Sequence, residues 1–245
     1  MSFGESAENY HHARYTYPPE VFNYIGEQIN NKDRNSIIDL GCGTGISTIE
    51  LESLGFSKII GCDIDQDMIN IAKLYKRQNI EYFVTSISSM EFKDNTYDIA
   101  TAFGAFHWFC DSASINEIKR ILKPKATFFV VNKNDLSDFR NTIIEVVGQY
   151  SELHQAFQKN NYFPDKILDE SGFERVNKVT FKSVEKYDLE KIIAFAQSMQ
   201  LWNRINLSNK PRIIEALRNH FLKTIHGSYY ERLISIEVIN GINSK

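Results

Sequence analysis

Three alternating glycines and two strand-end carboxylates carry the clearest chemical signal in this 245-residue chain. The run Ile37-Ile38-Asp39-Leu40 is apolar enough for a buried strand and leads directly into Gly41-Cys42-Gly43-Thr44-Gly45. Glycine accepts positive φ and, lacking a Cβ, lets a ligand press against bare backbone. From Thr44 the pattern turns helical: Thr44 or Ser47 is placed to cap the start, Ile46 and Ile49 supply apolar positions, and Gly55 stands where a helix would end. Strand, glycine turn and helix in this order predict a small-molecule nucleotide pocket.

The spacing narrows the nucleotide. A dinucleotide fingerprint reads G-x-G-x-x-G, but position 46 is Ile46, and no lysine follows the turn as a phosphate-binding loop requires. Asp39, expected at the mouth of the pocket, would repel phosphates and attract an ammonium group. Ser57 to Asp63 reads as a second buried strand ending in a carboxylate 18 residues after Gly45, and an acid there is suited to accept both ribose hydroxyls. A nucleoside joined to an amino acid fits these groups, which describes S-adenosyl-L-methionine.

The ordered motifs resemble those of the class I S-adenosylmethionine-dependent methyltransferases, in particular the small-molecule branch with the trans-aconitate methyltransferase-like proteins. Asp39 to Gly45 matches the first motif, and Gly61-Cys62-Asp63-Ile64-Asp65 with Met68-Ile69 the second. Thr96-Tyr97-Asp98-Ile99 with Phe106-His107-Trp108-Phe109 matches the fourth-strand region, and Arg120-Ile121-Leu122-Lys123-Pro124 the lead into the fifth strand. The match is continuous over about residues 36–132, with a looser echo from Tyr10 to Pro18. The resemblance implies an α/β fold: a Rossmann-like, mostly parallel seven-stranded sheet with an antiparallel last strand, helices on both faces and helical lid elements. It implies cofactor contacts from Asp39, Gly41, Gly43 and Gly45, from Asp63, Ile64 and Met68, and from Ser86, Ile87 and Phe103. The N-terminal lid would add Tyr10 and Arg14, the latter pairing with the methionine carboxylate. Two departures stand out: Thr85-Ser86-Ile87 lacks the acid that usually meets the adenine amino group, and Lys125-Ala126 replaces the paired glycines that usually follow Lys-Pro.

The chemistry follows from that cofactor. Its sulfonium makes the methyl electrophilic, so the protein mainly has to hold a nucleophile in line, and S-adenosyl-L-homocysteine is the product; positioning alone is worth roughly 7–11 kcal/mol. A carboxylate acceptor is already ionised, whereas an amine, phenol or acidic carbon must lose a proton. His107, just past the fourth strand, is the candidate catalytic base; its alternative role is to orient a loop or substrate. Trp108 is either packing or a substrate wall. Tyr15 and Trp202 are candidate substrate contacts; Met199, Trp202, Asn203 and Arg204 form either an acceptor roof or a packing face. The crowd of Tyr10, His11, His12, Arg14, Tyr15 and Tyr17 is either packing or a lid. His11-His12 has no partner cluster, so no metal is expected.

Composition bounds the rest. The net charge of −3 supplies no field for a polyanion, so nucleic acid is not an expected partner. Three cysteines without C-x-x-C spacing fit a reducing cytoplasm, and no apolar stretch or leader pattern points to a membrane. A monomer or homodimer is expected. One domain over residues 1–245 is expected: lid and first helix over 1–35, cofactor core over 36–132, and a substrate-side half over 133–245 with a helical insertion at about 186–226. Met68, Ile71, Ala72 and Tyr75 predict one helical face. Strands are expected at 81–84, 99–103 and 128–131, then from Phe173 to about Val184 and over Arg232–Ile239. Further helices are expected around Phe139–Tyr150, Asp165–Glu170, Leu189–Ala196 and from Pro211. Two other readings remain: a catalytically silent cofactor-binding protein and a nicotinamide-dependent oxidoreductase.

Overall fold

Every residue of strand β1 (Ser36–Leu40) is buried, because it lies between two parallel neighbours and beneath helices on both faces. Those neighbours are β2 (Lys58–Asp63) and β4 (Tyr97–Phe103). The computed structural model describes residues 6–29, 35–150, 162–225 and 227–245. With β3 (Ile80–Val84), β5 (Leu122–Asp135), β6 (Phe173–Tyr187) and β7 (Tyr230–Asn243), the strands form one sheet of order β3-β2-β1-β4-β5-β7-β6. β1 to β5 run parallel, while β7 is antiparallel to both β5 and β6, as the antiparallel last strand required. Strand order reverses between β1 and β4, and the crevice beyond their carboxyl ends is where such sheets bind ligands.

Alternation along the strands builds two cores. Ile38, Leu40, Ile60, Ala100, Phe128 and Val130 face α5 (Ser112–Ile121), whose Ile115, Ile118 and Ile121 are buried, and Leu168 of α7 (Pro164–Glu170). Ile37, Ile59, Ile99, Phe129 and Val131 face the opposite way. There they meet Val21, Phe22 and Ile25 of α2 (Pro19–Glu27) and Ile69 and Ala72 of α4 (Gln66–Leu74). A third core joins α6 (Phe139–Gly148), α8 (Leu189–Gln197) and α9 (Lys210–Thr224) through Phe139, Phe195, Leu217 and Phe221.

Three local expectations are corrected. Helix α3 (Ile46–Glu50) starts after Gly45 at φ 76°, with no side-chain cap; the Thr44 hydroxyl is buried without a partner. It tightens into a 3-10 turn over Leu51–Leu54 and stops at Gly55 in the left-handed region, as its position suggested. The buried face of α4 is Met68, Ile69 and Ala72, while Tyr75 is 42% exposed and stacks on His11 with centroids 4.0 Å apart. The residues read as a lid include a helix, α1 (Ser6–Ala13), whose Ala13 is fully buried in the third core.

The Lys125 departure has a backbone consequence. Lys125 sits at φ 64°, the conformation that glycine adopts freely. A left-handed L-residue costs roughly 1–2 kcal/mol, partly offset by the entropy glycine loses on folding. Lys125→Gly is therefore expected to stabilise the fold by about 0.5–1 kcal/mol in denaturant titration, despite losing the exposed pair with Glu174; an unchanged or lowered midpoint counts against this account.

Candidate active site

The glycine turn divides its work among three positions. Gly41, Gly43 and Gly45 have φ of 67°, 55° and 76°. A Cβ on Gly41 would lie 2.7 Å from that of Ala105, and one on Gly45 would collide with the Tyr82 hydroxyl, so these two glycines make room for the chain's own packing. A Cβ on Gly43 would meet nothing within 4 Å. Gly43 is thus the bare backbone turned to open space. Its N–H donates to Asp63 Oδ2 at 2.9 Å, and Asp65 N–H donates to Asp63 Oδ1 at 2.9 Å. Burial pushes the Asp63 carboxyl up from the ordinary range, against those two bonds.

Asp39 does not stand at the mouth. It is fully enclosed beneath the turn, where its oxygens accept from Thr48 Oγ1 at 2.6 Å and Thr101 Oγ1 at 2.9 Å. A carboxylate without accessible surface cannot touch a ligand, so the direct ammonium contact expected of it is corrected. Desolvation raises its pKa to about 7 despite both hydroxyls.

Around the turn the other expected contacts separate. Ile64 is 69% exposed beside Asp63. Ser86 is half-buried, with its Oγ 3.0 Å from that of Ser88. Met68 and Ile87 are turned inward, at 3% and 7% exposure, which leaves them little surface for a ligand. Phe103 is half-buried and packs on Tyr17 and Phe22, with centroids at 5.1 and 5.6 Å.

Arg14 Nε donates to Ser198 Oγ at 3.2 Å, and its guanidinium lies over Tyr10 at 4.9 Å and Phe195 at 4.0 Å. No carboxylate among the described residues pairs with it, and burial lowers its pKa. Tyr15 is committed elsewhere: its hydroxyl donates to the Lys186 carbonyl, and Lys191 Nζ covers its ring at 3.3 Å. Trp202 is 6% exposed inside the third core. Trp202 thus packs in the third core, while Tyr15 is half-buried at its edge and keeps part of its surface open. His107 and Trp108 are exposed on the short turn after β4, with rings 4.7 Å apart. Although the residue keeps exposed surface, desolvation of its ring by the surrounding chain and then the charge of Arg140 lower the His107 pKa, which favours the neutral imidazole.

The family match falls on these same elements. Residues 38–130 match the methyltransferase domain family, from β1 through β5. An uncharacterized methyltransferase of Schizosaccharomyces pombe is 24% identical over 228 residues, covering 91% of this chain and 88% of that protein. These matches, with the fold described above, mark the chain as an S-adenosylmethionine-dependent methyltransferase of class I fold. A type II methyltransferase structure from Anaeromyxobacter dehalogenans superposes with a TM-score of 0.66 at 18% identity, covering 94% of this chain and 98% of that one. Phosphoethanolamine N-methyltransferase 2 of Haemonchus contortus, solved with S-adenosylhomocysteine, has a TM-score of 0.53 at 15% identity, covering 93% of this chain and 53% of that one.

The residues present fit the cofactor that this family implies: open backbone at Gly43, a strand-end carboxylate at Asp63, an exposed apolar side chain at Ile64 and, at Arg14, a guanidinium that no carboxylate among the described residues pairs with. A separate surface depression of about 340 Å³, lined by Asp188, Leu189, Leu222 and Ile225, shares no residue with this methyltransferase cleft. Sequence reasoning missed Tyr162, whose ring is 5.9 Å from His107, and the charged set Lys133, Arg140, Glu185 and Arg232. For Lys133 a signal existed, since it lies toward the carboxyl end of β5; Tyr162 follows Asn161 outside any motif.

Asp39 makes the methyltransferase pH-sensitive. Its folded pKa of about 7 exceeds the unfolded value, so the stability it contributes is full at low pH and is lost as pH rises through about 7. Relative to Asp39→Asn, the ligand-free wild type is expected to lose stability between about pH 4 and 7, approaching roughly 4 kcal/mol in total. Parallel denaturation curves for the two proteins across that range would refute the assignment.

Proposed function

We propose that this methyltransferase acts on a small-molecule acceptor bound beyond the carboxyl ends of β4 and β5, as one catalytic unit with S-adenosyl-L-methionine as methyl donor. The observation that carries the reading is the open face of Gly43 beside the Asp63 carboxylate, at the point where strand order reverses. Asp63 keeps lone pairs beyond its two backbone bonds for the ribose hydroxyls. Ile64 offers a flat apolar contact to the base, and Arg14 receives the methionine carboxylate, for which a guanidinium fork is well shaped. Asp39, although enclosed, places negative charge under the amino-acid end whenever it is ionised. The cofactor supplies an electrophilic methyl when bound. The chain supplies position: the turn and the aromatic wall around His107 fix where the acceptor's nucleophile stands.

His107 is the proton acceptor in this reading. Its lowered pKa keeps the imidazole neutral at physiological pH, the state needed to take a proton from an amine, phenol or acidic carbon. The free thiols Cys42, Cys62 and Cys110 accord with the cytoplasmic location we assign. Among the described residues no helix is long and apolar enough to cross a membrane.

Labelled-methyl transfer to a panel of small amines, phenols and carboxylic acids tests the reading. His107→Gln is expected to lower turnover with a proton-bearing acceptor by roughly 10²–10⁴-fold. The wild-type rate should fall as pH drops through a value below 6.5. Undiminished turnover in the variant would remove the base role, and absence of transfer to every acceptor class would favour the catalytically silent alternative.

A further inference from the structure

The segment Arg14-Tyr15-Thr16-Tyr17 between α1 and α2 has no helix or strand of its own, yet it is pinned to the sheet residue by residue. Arg14 N–H donates to the Tyr10 carbonyl at 3.1 Å, which extends the last turn of α1 beyond the fully buried Ala13. The Tyr15 hydroxyl donates to the Lys186 carbonyl near the end of β6, and the Tyr17 ring packs on Phe103 at the end of β4, with centroids 5.1 Å apart. Between these aromatic anchors the backbone carbonyls of Tyr15 and Thr16 both accept from one group, Lys133 Nζ, at 2.8 and 3.0 Å.

Lys133 stands near the carboxyl end of β5, and its side chain is only 17% exposed. An ammonium has three protons to donate. Two go to those carbonyls and the third to Glu185 Oε1 at 2.7 Å, while the Tyr17 ring lies 4.6 Å from Nζ. Every donor is spent inside the protein, so the group serves to hold rather than to bind a ligand. Glu185 is itself fixed, by Arg232 Nη1 at 3.0 Å and the Tyr187 hydroxyl at 2.9 Å, and Arg232 Nε reaches Asp135 at 2.9 Å. The network ties β5, β6 and β7 to two peptide groups of the crossing segment.

Holding the strands together does not require these charges, since buried ion pairs cost desolvation and apolar residues of like volume commonly serve as well. Apolar residues could not satisfy the two carbonyls. What those carbonyls fix is the placement of Arg14, one residue earlier in the chain. Its Nε donates to Ser198 Oγ at 3.2 Å, the Ser198 hydroxyl is turned to the Phe195 carbonyl at 2.7 Å, and the guanidinium lies over the Phe195 ring at 4.0 Å. A guanidinium fork meets a carboxylate in two-point fashion only when it is aimed. We propose that Lys133 is a positioning residue for cofactor binding: by holding the carbonyls of Tyr15 and Thr16 it fixes Arg14 where the methionine carboxylate is received. The inference rests on the reading of Arg14 proposed above.

Calorimetric titration of wild type, Lys133→Met, Arg14→Gln and the double variant tests the proposal, with two ligands: S-adenosylhomocysteine, and methylthioadenosine, which lacks the amino-acid end. Lys133→Met is expected to weaken S-adenosylhomocysteine at least tenfold and methylthioadenosine less than twofold, and to add less than a further twofold in the Arg14→Gln background. Lys133→Arg, which keeps the charge and has donors enough for the same three acceptors, is expected to bind within about threefold of wild type. If Lys133→Met does not fold, Lys133→Gln, which keeps a donor for one carbonyl, carries the same comparison; failure of both to fold overturns the proposal in favour of a purely structural role. The proposal is also overturned if the neutral variant binds S-adenosylhomocysteine like wild type, if it weakens both ligands alike, if its loss simply adds to that of Arg14→Gln, or if Lys133→Arg recovers nothing. An Arg14→Gln protein that binds S-adenosylhomocysteine as tightly as wild type would instead overturn the underlying reading of Arg14.

Discussion

The hydrogen bond from Gly43 N–H to Asp63 ties the end of β1 to the end of β2, and the cleft takes its shape from it. Parallel pairing of Leu40 with Cys62 brings the two strand ends level, and the Cys42 N–H reaches the Cys62 carbonyl at 3.0 Å. Tyr82 sets how close they come. Its ring lies where a Cβ on Gly61 would be, 2.6 Å from two ring carbons, and its hydroxyl fills the space beside Gly45. The glycines on either side of Gly43 are therefore demanded by packing within the protein. Gly43 itself is free of such demands, since a Cβ there would meet nothing within 4 Å.

Charge is distributed unevenly across that cleft. Asp39 and Asp63 lie under the β1–β2 end, and each is pushed toward protonation by burial. The cations lie beyond β5 and β7, where Arg14 and Arg140 lack carboxylate partners among the described residues. An amino-acid-bearing nucleoside has an ammonium and a carboxylate to match the two ends. Desolvation works against every one of these charges in the ligand-free protein, so a ligand of complementary charge recovers energy that the fold gives up. The site is thus tuned by what it lacks as much as by what it contains.

Much of the fold was legible because the signals are local and repeated. Continuous apolar strands such as Ile37-Ile38 and Phe128 to Val131 announce a sheet covered on both faces, and α5 and α8 follow their helical periodicity closely. α1 was hidden because its sequence, with His11, His12 and Tyr10, has weak amphipathic character and is held by tertiary contacts. The strand-end turn was legible where one residue does one job on the backbone: Gly43 takes a positive φ and its N–H bonds to Asp63. It was not legible for Asp39, because types and spacing cannot tell a carboxylate at a mouth from one sealed under two threonines. Tyr15 and Trp202 carry surface-capable side chains, yet the fold seats Trp202 in the third core and Tyr15 half-buried at its edge.

The central claim is that the open backbone at Gly43 is where the cofactor lies, and calorimetric titration with S-adenosylhomocysteine tests it most directly. Wild type is predicted to bind one equivalent. Gly43→Ala, whose added methyl meets nothing within 4 Å in the protein, is predicted to stay folded, at a left-handed-backbone cost of roughly 1–2 kcal/mol, and to lose at least tenfold in affinity. A folded Gly43→Ala protein that binds S-adenosylhomocysteine as tightly as the wild type would contradict the account.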